Sequence, residues 1–353
     1  MRGKIGFHVY AFLLKFVSNM IYRLILALRH LAYNKGWKKS FKAEVPTICV
    51  GNVTVGGTGK TPHTEMILRK LLTSDRWAYS NIAVLSRGYK RKSKGFQIIG
   101  RDATARFAGD EPLQIARKFP SVTVAVDKDR IHGCQQLKAD IIVLDDAFQY
   151  RRLNPSLNIV LVDYNRPIFK DKLMPWGRLR DFPSQLKRAQ VVIVTKCPSC
   201  GLEDGEREEW RKNLKLLPEQ KLFFTTTAHD APEPVFPEAD SRFTYAHRLI
   251  LVSGIANDAP LRNHLSDTYK ISMRLAFKDH HKFTRGDIRA IAKAVKEIPT
   301  ACIMTTEKDA QRLMDVKRIP DSVKERLFYT PVQARFLSEE DDASFTDIIT
   351  NVK

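Results

Sequence analysis

Gly51-Asn52-Val53-Thr54-Val55-Gly56-Gly57-Thr58-Gly59-Lys60-Thr61-Pro62 decides the reading of this chain. A short apolar run, Thr47-Ile48-Cys49-Val50, precedes it and reads as a buried strand; an amphipathic run through Leu72 follows it and reads as a helix. Strand, glycine-rich turn and a helix opening Gly-Lys-Thr make the layout of a phosphate-binding loop. The glycines let the backbone curl until its N–H groups converge on phosphate oxygens. The helix N-terminus behind them adds partial positive charge. The nucleotide-binding candidates are therefore Thr54, Val55, Gly56, Gly57, Thr58, Gly59, Lys60 and Thr61. Lys60 reaches for the β- and γ-phosphates, and the Thr61 hydroxyl is a ligand for Mg2+. Pro62 suits the first helical turn, where its missing N–H costs nothing. The strict motif has Gly where this chain has Thr54. The stretch reads as part of a nucleotide-triphosphate enzyme.

With 353 residues the chain is long enough for two domains, or one large one, with an ample core. Lys and Arg number 59 against 39 Asp and Glu, a net charge of +20 that points to anionic partners: nucleic acid, nucleotide phosphates or an acidic membrane surface. The five cysteines are few, odd in number and mostly set in apolar runs, which suggests a reducing compartment without a disulfide framework. Cys197 and Cys200 have metal-knuckle spacing, but no second pair completes a tetrahedral site, so zinc is not expected there.

Residues 4–33 are rich in Leu, Ile, Phe and Tyr yet lack the unbroken apolar run of a spanning helix, and no cleavage site for a signal peptide is evident. Wound as a helix, Lys4, His8, Lys15, Asn19, Arg23, Arg29 and His30 fall in one sector about 120° wide. Phe7, Phe12, Leu13, Leu14, Phe16, Val17, Met20, Ile21, Leu24, Ile25, Leu28 and Leu31 occupy the rest. A wide apolar face with a narrow basic stripe describes a helix lying in a membrane interface, its cations on anionic headgroups. The competing reading is a helix packed on the protein's own core. Trp37, Lys38, Lys39 and Lys42 extend the interfacial theme.

Beyond the loop, Ile82–Leu85, Val122–Val126, Ile141–Leu144, Asn158–Val162 and Val191–Val194 are continuous β-branched runs alternating with helical stretches. They argue for a mostly parallel sheet buried on both faces, with the chemistry in the loops at its carboxyl edge. Residues 201–240 turn to Glu, Lys and Pro and read as a surface helix plus connector, with a boundary near Pro232, Pro234 and Pro237. A second α/β unit follows, with Leu249–Val252 and Cys302–Met304 as candidate strands. The expected division is an amphipathic helix at 1–36, a phosphate-loop domain at 37–228 and a smaller C-terminal α/β domain at 229–353 that closes over the active-site cleft.

Ile141-Ile142-Val143-Leu144-Asp145-Asp146 is an apolar strand ending in two acids, which places carboxylates near the metal that Thr61 would hold. Gly109-Asp110-Glu111-Pro112 is an acidic cluster at a helix start, where simple capping is the plainer reading. Lys278-Asp279-His280-His281-Lys282 sets two histidines beside a carboxylate, which alone is as readily a solvated turn. Arg87 and Arg180, both in loops, are candidates for anionic oxygens of ATP or of a substrate phosphate.

Together these stretches resemble the tetraacyldisaccharide 4′-kinases, the lipid A 4′-kinases of Gram-negative bacteria. The resemblance rests on residues 51–62, where that family also has Thr at the position of Thr54. It continues through Leu85-Ser86-Arg87-Gly88-Tyr89, Gly109-Asp110-Glu111-Pro112 and Leu144-Asp145-Asp146-Ala147-Phe148-Gln149. Leu179-Arg180-Asp181, Val252–Ala256, Phe277–His281 and Thr306-Glu307-Lys308-Asp309-Ala310 follow in the family's order. It implies ATP- and Mg2+-dependent phosphorylation of the 4′-hydroxyl of a tetraacylated glucosamine disaccharide 1-phosphate. It also implies a phosphate-loop α/β/α domain, a smaller C-terminal α/β domain across a cleft, and an N-terminal helix on the membrane. Such an enzyme works peripherally at the cytoplasmic face of the inner membrane. By the same resemblance Asp110 is the base for the sugar hydroxyl and His280, rather than His281, its partner. Asp145 and Asp146 match the acidic pair at the metal. Glu111, Gln149 and Asp181 lie in the same motifs and join Arg87 and Arg180 as substrate or phosphate candidates. The chain departs from the family at Ala147 (usually Gly), Tyr150 (usually His) and Asp181 (usually Glu).

Two other functions fit parts of the pattern. A membrane-associated phosphate-loop switch ATPase would release only free phosphate. A nucleic-acid-dependent NTPase, suggested by the charge, would show a basic face interleaved with aromatics and stimulation by DNA or RNA. The long apolar start argues against nucleic acid as a partner.

Overall fold

The computed structural model describes residues 2–353, with side chains from residue 15 onward. The chain begins with helix α1 (Arg2–Asn34), then strand β1 (Thr47–Asn52) and helix α2 (Lys60–Leu72) on either side of the glycine-rich loop. Next come β2 (Ile82–Ser86), β3 (Gln97–Ile98), α3 (Ala105–Ala108), α4 (Asp110–Lys118), β4 (Thr123–Val126) and α5 (Arg130–Gln136). β5 (Ile141–Asp145), β6 (Leu157–Asp163), β7 (Val191–Thr195), α6 (Glu206–Leu214) and β8 (Lys221–His229) complete the first run. A second run contains β9 (Glu233–Pro234), β10 (Arg248–Ser253), α7 (Ala259–Ser266), β11 (Lys270–Ala276), α8 (Arg285–Glu297), β12 (Cys302–Thr306), α9 (Glu307–Met314), α10 (Asp321–Lys324) and β13 (Leu327–Thr330). The chain ends in β14 (Val332–Phe336) and α11 (Glu339–Thr350).

Nine strands form the larger sheet in the order β14-β8-β7-β6-β1-β5-β2-β4-β3. Every pair from β8 to β4 is parallel, and each edge is closed by one antiparallel strand, β14 on β8 and β3 on β4. Alternation along the strands feeds two cores. Ile48, Val50, Ile141 and Val143 face one side with Leu68 and Leu113; Cys49, Ile142 and Leu144 face the other with Phe148 and Leu153. That double burial is why these strands read as unbroken apolar runs. The register sets Val50 opposite Asp145, so the strand ending in acids finishes beside the start of the glycine-rich loop. The five-stranded sheet, β11-β10-β12-β13-β9, is parallel except for β9.

Two expectations change here. Residues 201–240 contain the surface helix α6, but Lys221–His229 is a strand of the larger sheet, not a connector. Nor is 229–353 a single unit. β14 pairs with β8, and Ala334, Phe345, Ile349 and Val352 are buried in the core that includes Leu68 and Ile67. The chain leaves for the smaller sheet and returns, because β8 still had an open edge and the α2 side an uncovered apolar surface.

Helix α1 is amphipathic as expected, and what differs is the polar stripe, expected on headgroups. Its polar sector faces the protein: Asn19 Nδ2 donates to the carbonyls of Leu173 and Met174 at 3.0 and 2.9 Å, and Tyr22 Oη to that of Arg180 at 2.8 Å. Arg29 donates to the Gln149 carbonyl, and His30 is buried against Asp181. Only Lys15 and Arg23 of the described stripe remain exposed; the side chains of Lys4, His8, Phe7, Phe12, Leu13 and Leu14 lie outside the described residues. The apolar sector is what solvent meets: Phe16, Val17, Met20, Ile21, Leu24, Ile25, Leu28 and Leu31 are 42–59% exposed. Among the described residues no helix is long and apolar enough to cross a membrane.

Candidate active site

The loop between β1 and α2 is built as a rigid cradle. Gly56 and Gly59 have φ of 110° and 86°, which side-chain-bearing residues rarely adopt. Polar groups pin the turn from several directions. Asn52 Nδ2 donates to the Thr58 hydroxyl at 2.6 Å, the Thr195 hydroxyl to the Thr58 carbonyl at 3.0 Å, and Lys196 Nζ to the Gly57 carbonyl at 2.5 Å. Thr54 bridges to Leu179, and Val55 N–H donates to the Arg178 carbonyl at 2.8 Å. Behind the loop sits His63, a residue the sequence did not single out. Burial pushes its pKa down to about 4, so it is neutral. Its Nδ1 therefore donates to the Gly59 carbonyl at 2.7 Å while Nε2 accepts from the Thr225 hydroxyl at 2.9 Å.

Lys60 opens α2 with Thr61 buried beside it. The Lys60 charge acts on a trio of acids. Asp146 is pushed up by burial, but Lys60 and then Arg180 outweigh this and hold it below the usual carboxylate range. Asp145 goes the other way, to about 7, through burial and the neighbouring charges of Glu111 and Asp146. Asp145 is 1% exposed; Oδ2 accepts from Ser86 Oγ at 3.1 Å, and Oδ1 has no hydrogen-bond partner. An orphaned, buried carboxylate oxygen beside two further acids, Glu111 and Asp146, fits a divalent cation. Among the described residues no three His, Cys, Asp or Glu side chains cage an ion by themselves. A Mg2+ shared with nucleotide phosphates needs only one or two carboxylates.

Asp110 occupies the first turn of α4, after Gly109 at φ 92°. Its Oδ2 lies 3.2 Å from His280 Nδ1 and accepts from Arg312 Nη2 and Nε at 2.5 and 3.1 Å. Burial pushes the Asp110 carboxyl up, yet the Arg312 hydrogen bonds and charge, with His280, hold it below the usual range. His280 sits at φ 59°, a strained backbone that sets its ring toward Asp110. His281 turns away, 2.9 Å from Asp287 Oδ2 and stacked on Phe277. Next to Asp110, Glu111 pairs with Lys308 Nζ at 2.6 Å.

The remaining candidates divide. Arg180 pairs with Asp146 and donates to Asn52 Oδ1 at 2.5 Å, and Gln149 donates to the Asn52 carbonyl, so both brace the loop. Arg87 is exposed near the buried Arg130, whose pKa is lowered by burial and then by Arg87. Asp181 is corrected outright: it is fully buried beneath α1 against His30 and has no place at a substrate phosphate. Tyr150 donates its hydroxyl to Asp129 at 2.7 Å. The residues missed were Lys308 and Arg312, which face Glu111 and Asp110 from α9. Their one trace in the sequence is the Thr306–Ala310 stretch, which opens that helix.

Comparison with known proteins settles the family. The sequence profile described as Tetraacyldisaccharide-1-P 4'-kinase matches residues 10–352. The chain belongs to the tetraacyldisaccharide 4′-kinase family. The tetraacyldisaccharide 4'-kinase of Phocaeicola vulgatus is 40% identical over 346 residues, covering 94% of this chain and 93% of the relative. That of Parabacteroides distasonis is 42% identical over 329 residues, covering 89% and 87%. Among solved structures, LpxK from Aquifex aeolicus in complex with ATP superposes with a TM-score of 0.71 at 26% identity, covering 95% of this chain and 98% of that one. The chain is thus a kinase of this family with an α/β fold.

Proposed function

We propose that this kinase transfers the γ-phosphoryl group of ATP to the 4′-hydroxyl of a tetraacylated glucosamine disaccharide 1-phosphate. The observation that carries the reading is that the Asp110–His280 pair, contributed by the two sheets, stands one residue from Glu111, on which the Lys60 charge of the cradle acts. Phosphoryl transfer asks little covalent chemistry of a protein; it needs the two oxygens in line and the charge neutralised. Residues 54–61 and the N-terminus of α2 hold the phosphates, and Lys60 stabilises charge on the group in flight. Asp110 takes the hydroxyl proton, and His280 orients its carboxylate. Thr61, Asp145 and Asp146 would hold Mg2+, which supplies charge neutralisation at the β- and γ-phosphates when bound.

The α1 face supports action at a membrane surface. Eight exposed apolar side chains on one helix form a patch that water disfavours and acyl chains would cover. The kinase then works peripherally, on the side where ATP is available, the cytoplasmic face of the inner membrane. The smaller sheet, carrying His280, Lys308 and Arg312, closes the cleft over the nucleotide. Phosphorus NMR of the reaction product tests the reading: a new phosphomonoester at the 4′ position is expected, and one at another hydroxyl overturns the acceptor assignment.

A further inference from the structure

Arg312 is 7% exposed, and its donors are divided between two acids from different parts of the fold. One edge belongs to α9 itself and its surroundings. Nη1 donates to Asp309 Oδ1 at 2.8 Å and to the Gly254 carbonyl at 3.2 Å. Asp309 is held in turn by Gly254 N–H at 2.8 Å and the Thr306 hydroxyl at 2.7 Å, both on Oδ2. The guanidinium is therefore fixed before it meets anything else. Its other edge, Nε and Nη2, crosses to Oδ2 of Asp110. Nη2 also lies 3.2 Å from His280 Nδ1. All contacts to the Asp110 carboxylate thus fall on Oδ2. Oδ1 accepts no hydrogen bond from the described residues and is not sealed from solvent.

We propose that Arg312 is a positioning residue: it locks the Asp110 carboxylate with Oδ1 presented to the sugar hydroxyl, and does so only when the smaller sheet is seated on the larger one. The proposal rests on the reading of Asp110 as the base. A free carboxylate rotates about its Cβ–Cγ bond and offers either oxygen; a fixed two-pronged guanidinium removes that choice. Because the lock spans 202 residues of sequence, the base is set in place by the same contact that closes the cleft. The neighbouring Glu111–Lys308 pair at 2.6 Å repeats the crossing one residue along. The charged groups facing Asp110 are Arg312 and Lys308 from α9, His280 and Asp279 from the loop after β11, and Glu111 beside it on α4. Arg312 is the cation in direct contact, and its charge keeps Asp110 ionised at lower pH.

The test is steady-state phosphorylation of the disaccharide 1-phosphate by full-length Arg312→Met, Arg312→Lys, Asp110→Ala and the Asp110→Ala/Arg312→Met double variant, from pH 5 to pH 9. Arg312→Met should lower kcat at least about tenfold, leave KM for ATP within about twofold, and move the acid limb of kcat/KM upward by about one pH unit. Arg312→Lys should recover part of kcat and bring the limb back toward the parent. In the Asp110→Ala background the Arg312 change should cost nothing more. A merely structural role predicts kcat falling with the folded fraction and an unmoved limb, and that result overturns the proposal; so do losses that multiply in the double variant. Should Arg312→Met fail to fold, Arg312→Lys carries the test, since its ammonium still stands beside Asp309. Full turnover in Asp110→Ala removes the base reading and this one with it. An inactive Asp110→Ala beside a fully active Arg312→Met keeps the base and removes the lock.

Discussion

Nε2 of His30 lies 2.6 Å from Oδ1 of Asp181, with both side chains buried. The residue before Asp181 is Arg180, whose carbonyl accepts from Tyr22 and whose guanidinium pairs with Asp146. Two consecutive residues therefore connect the seat of α1 to Asp146, a carboxylate of the proposed nucleotide site. Asp181→Ala leaves Nε2 of the buried imidazole without its partner while Arg151 still meets Nδ1, a loss of about 1–3 kcal/mol. Limited proteolysis should cut the first 36 residues faster in Asp181→Ala, and kcat should fall several-fold as Arg180 loosens. Unchanged protection of that segment would contradict the link.

The outward apolar face of α1 yields a separate test. Leu24→Glu and Leu28→Glu replace exposed side chains, so the fold should be retained while flotation with anionic vesicles is lost. KM for the lipid should rise with kcat on a detergent-dispersed substrate little changed. Lys15→Glu with Arg23→Glu should weaken flotation more at low than at high salt. Normal flotation of the Leu24/Leu28 variant means the membrane contact lies elsewhere.

Asp145 predicts a trade between stability and function. Its folded-state pKa of about 7 lies above the ordinary carboxylate value, so the native state binds a proton that the unfolded chain has released. Its contribution to stability accordingly falls as pH rises from about 4 to about 7 and stays low above that. Asp145→Asn removes the buried charge while keeping an acceptor for Ser86. Without nucleotide and Mg2+, the variant should melt higher than the parent at pH 8, with the difference shrinking toward pH 5, and be catalytically impaired. An equal or lower melting temperature at pH 8 would show that the charge is not under strain.

At the cradle, Lys60→Ala and Thr61→Ala should each reduce turnover by at least about 100-fold with the protein folded, because each removes charge stabilisation at the transferring group. Loss of Asp145 or Asp146 should in addition shift the Mg2+ dependence. Near-normal turnover in Lys60→Ala contradicts the site.

What could be read from the sequence follows from where burial is two-sided. β1, β2, β5, β6 and β7 show as unbroken apolar runs, since Cys49 and Val50 each enter a core on opposite faces. β8 escaped notice because Thr225, Thr226 and Thr227 dilute its hydrophobicity, and β14 because it is itself an edge strand in which only Ala334 is buried. The amphipathicity of α1 and its free apolar face were legible but the seat of its polar stripe was not; periodicity does not say what the stripe will meet, and Asp181, which holds His30, is 151 residues away. Asp110, His280 and Lys60 stood out by motif. Arg312 did not, because an arginine in a helix is ordinary until the fold brings a carboxylate to it.

Transfer of γ-labelled phosphate from ATP to the purified disaccharide 1-phosphate lipid separates a lipid kinase from a switch ATPase in one assay. Label is expected in a lipid phosphomonoester at the 4′ position, formed in proportion to enzyme and lost with Asp110→Ala or Lys60→Ala. Label released only as inorganic phosphate, at a rate the lipid does not change, would contradict that expectation.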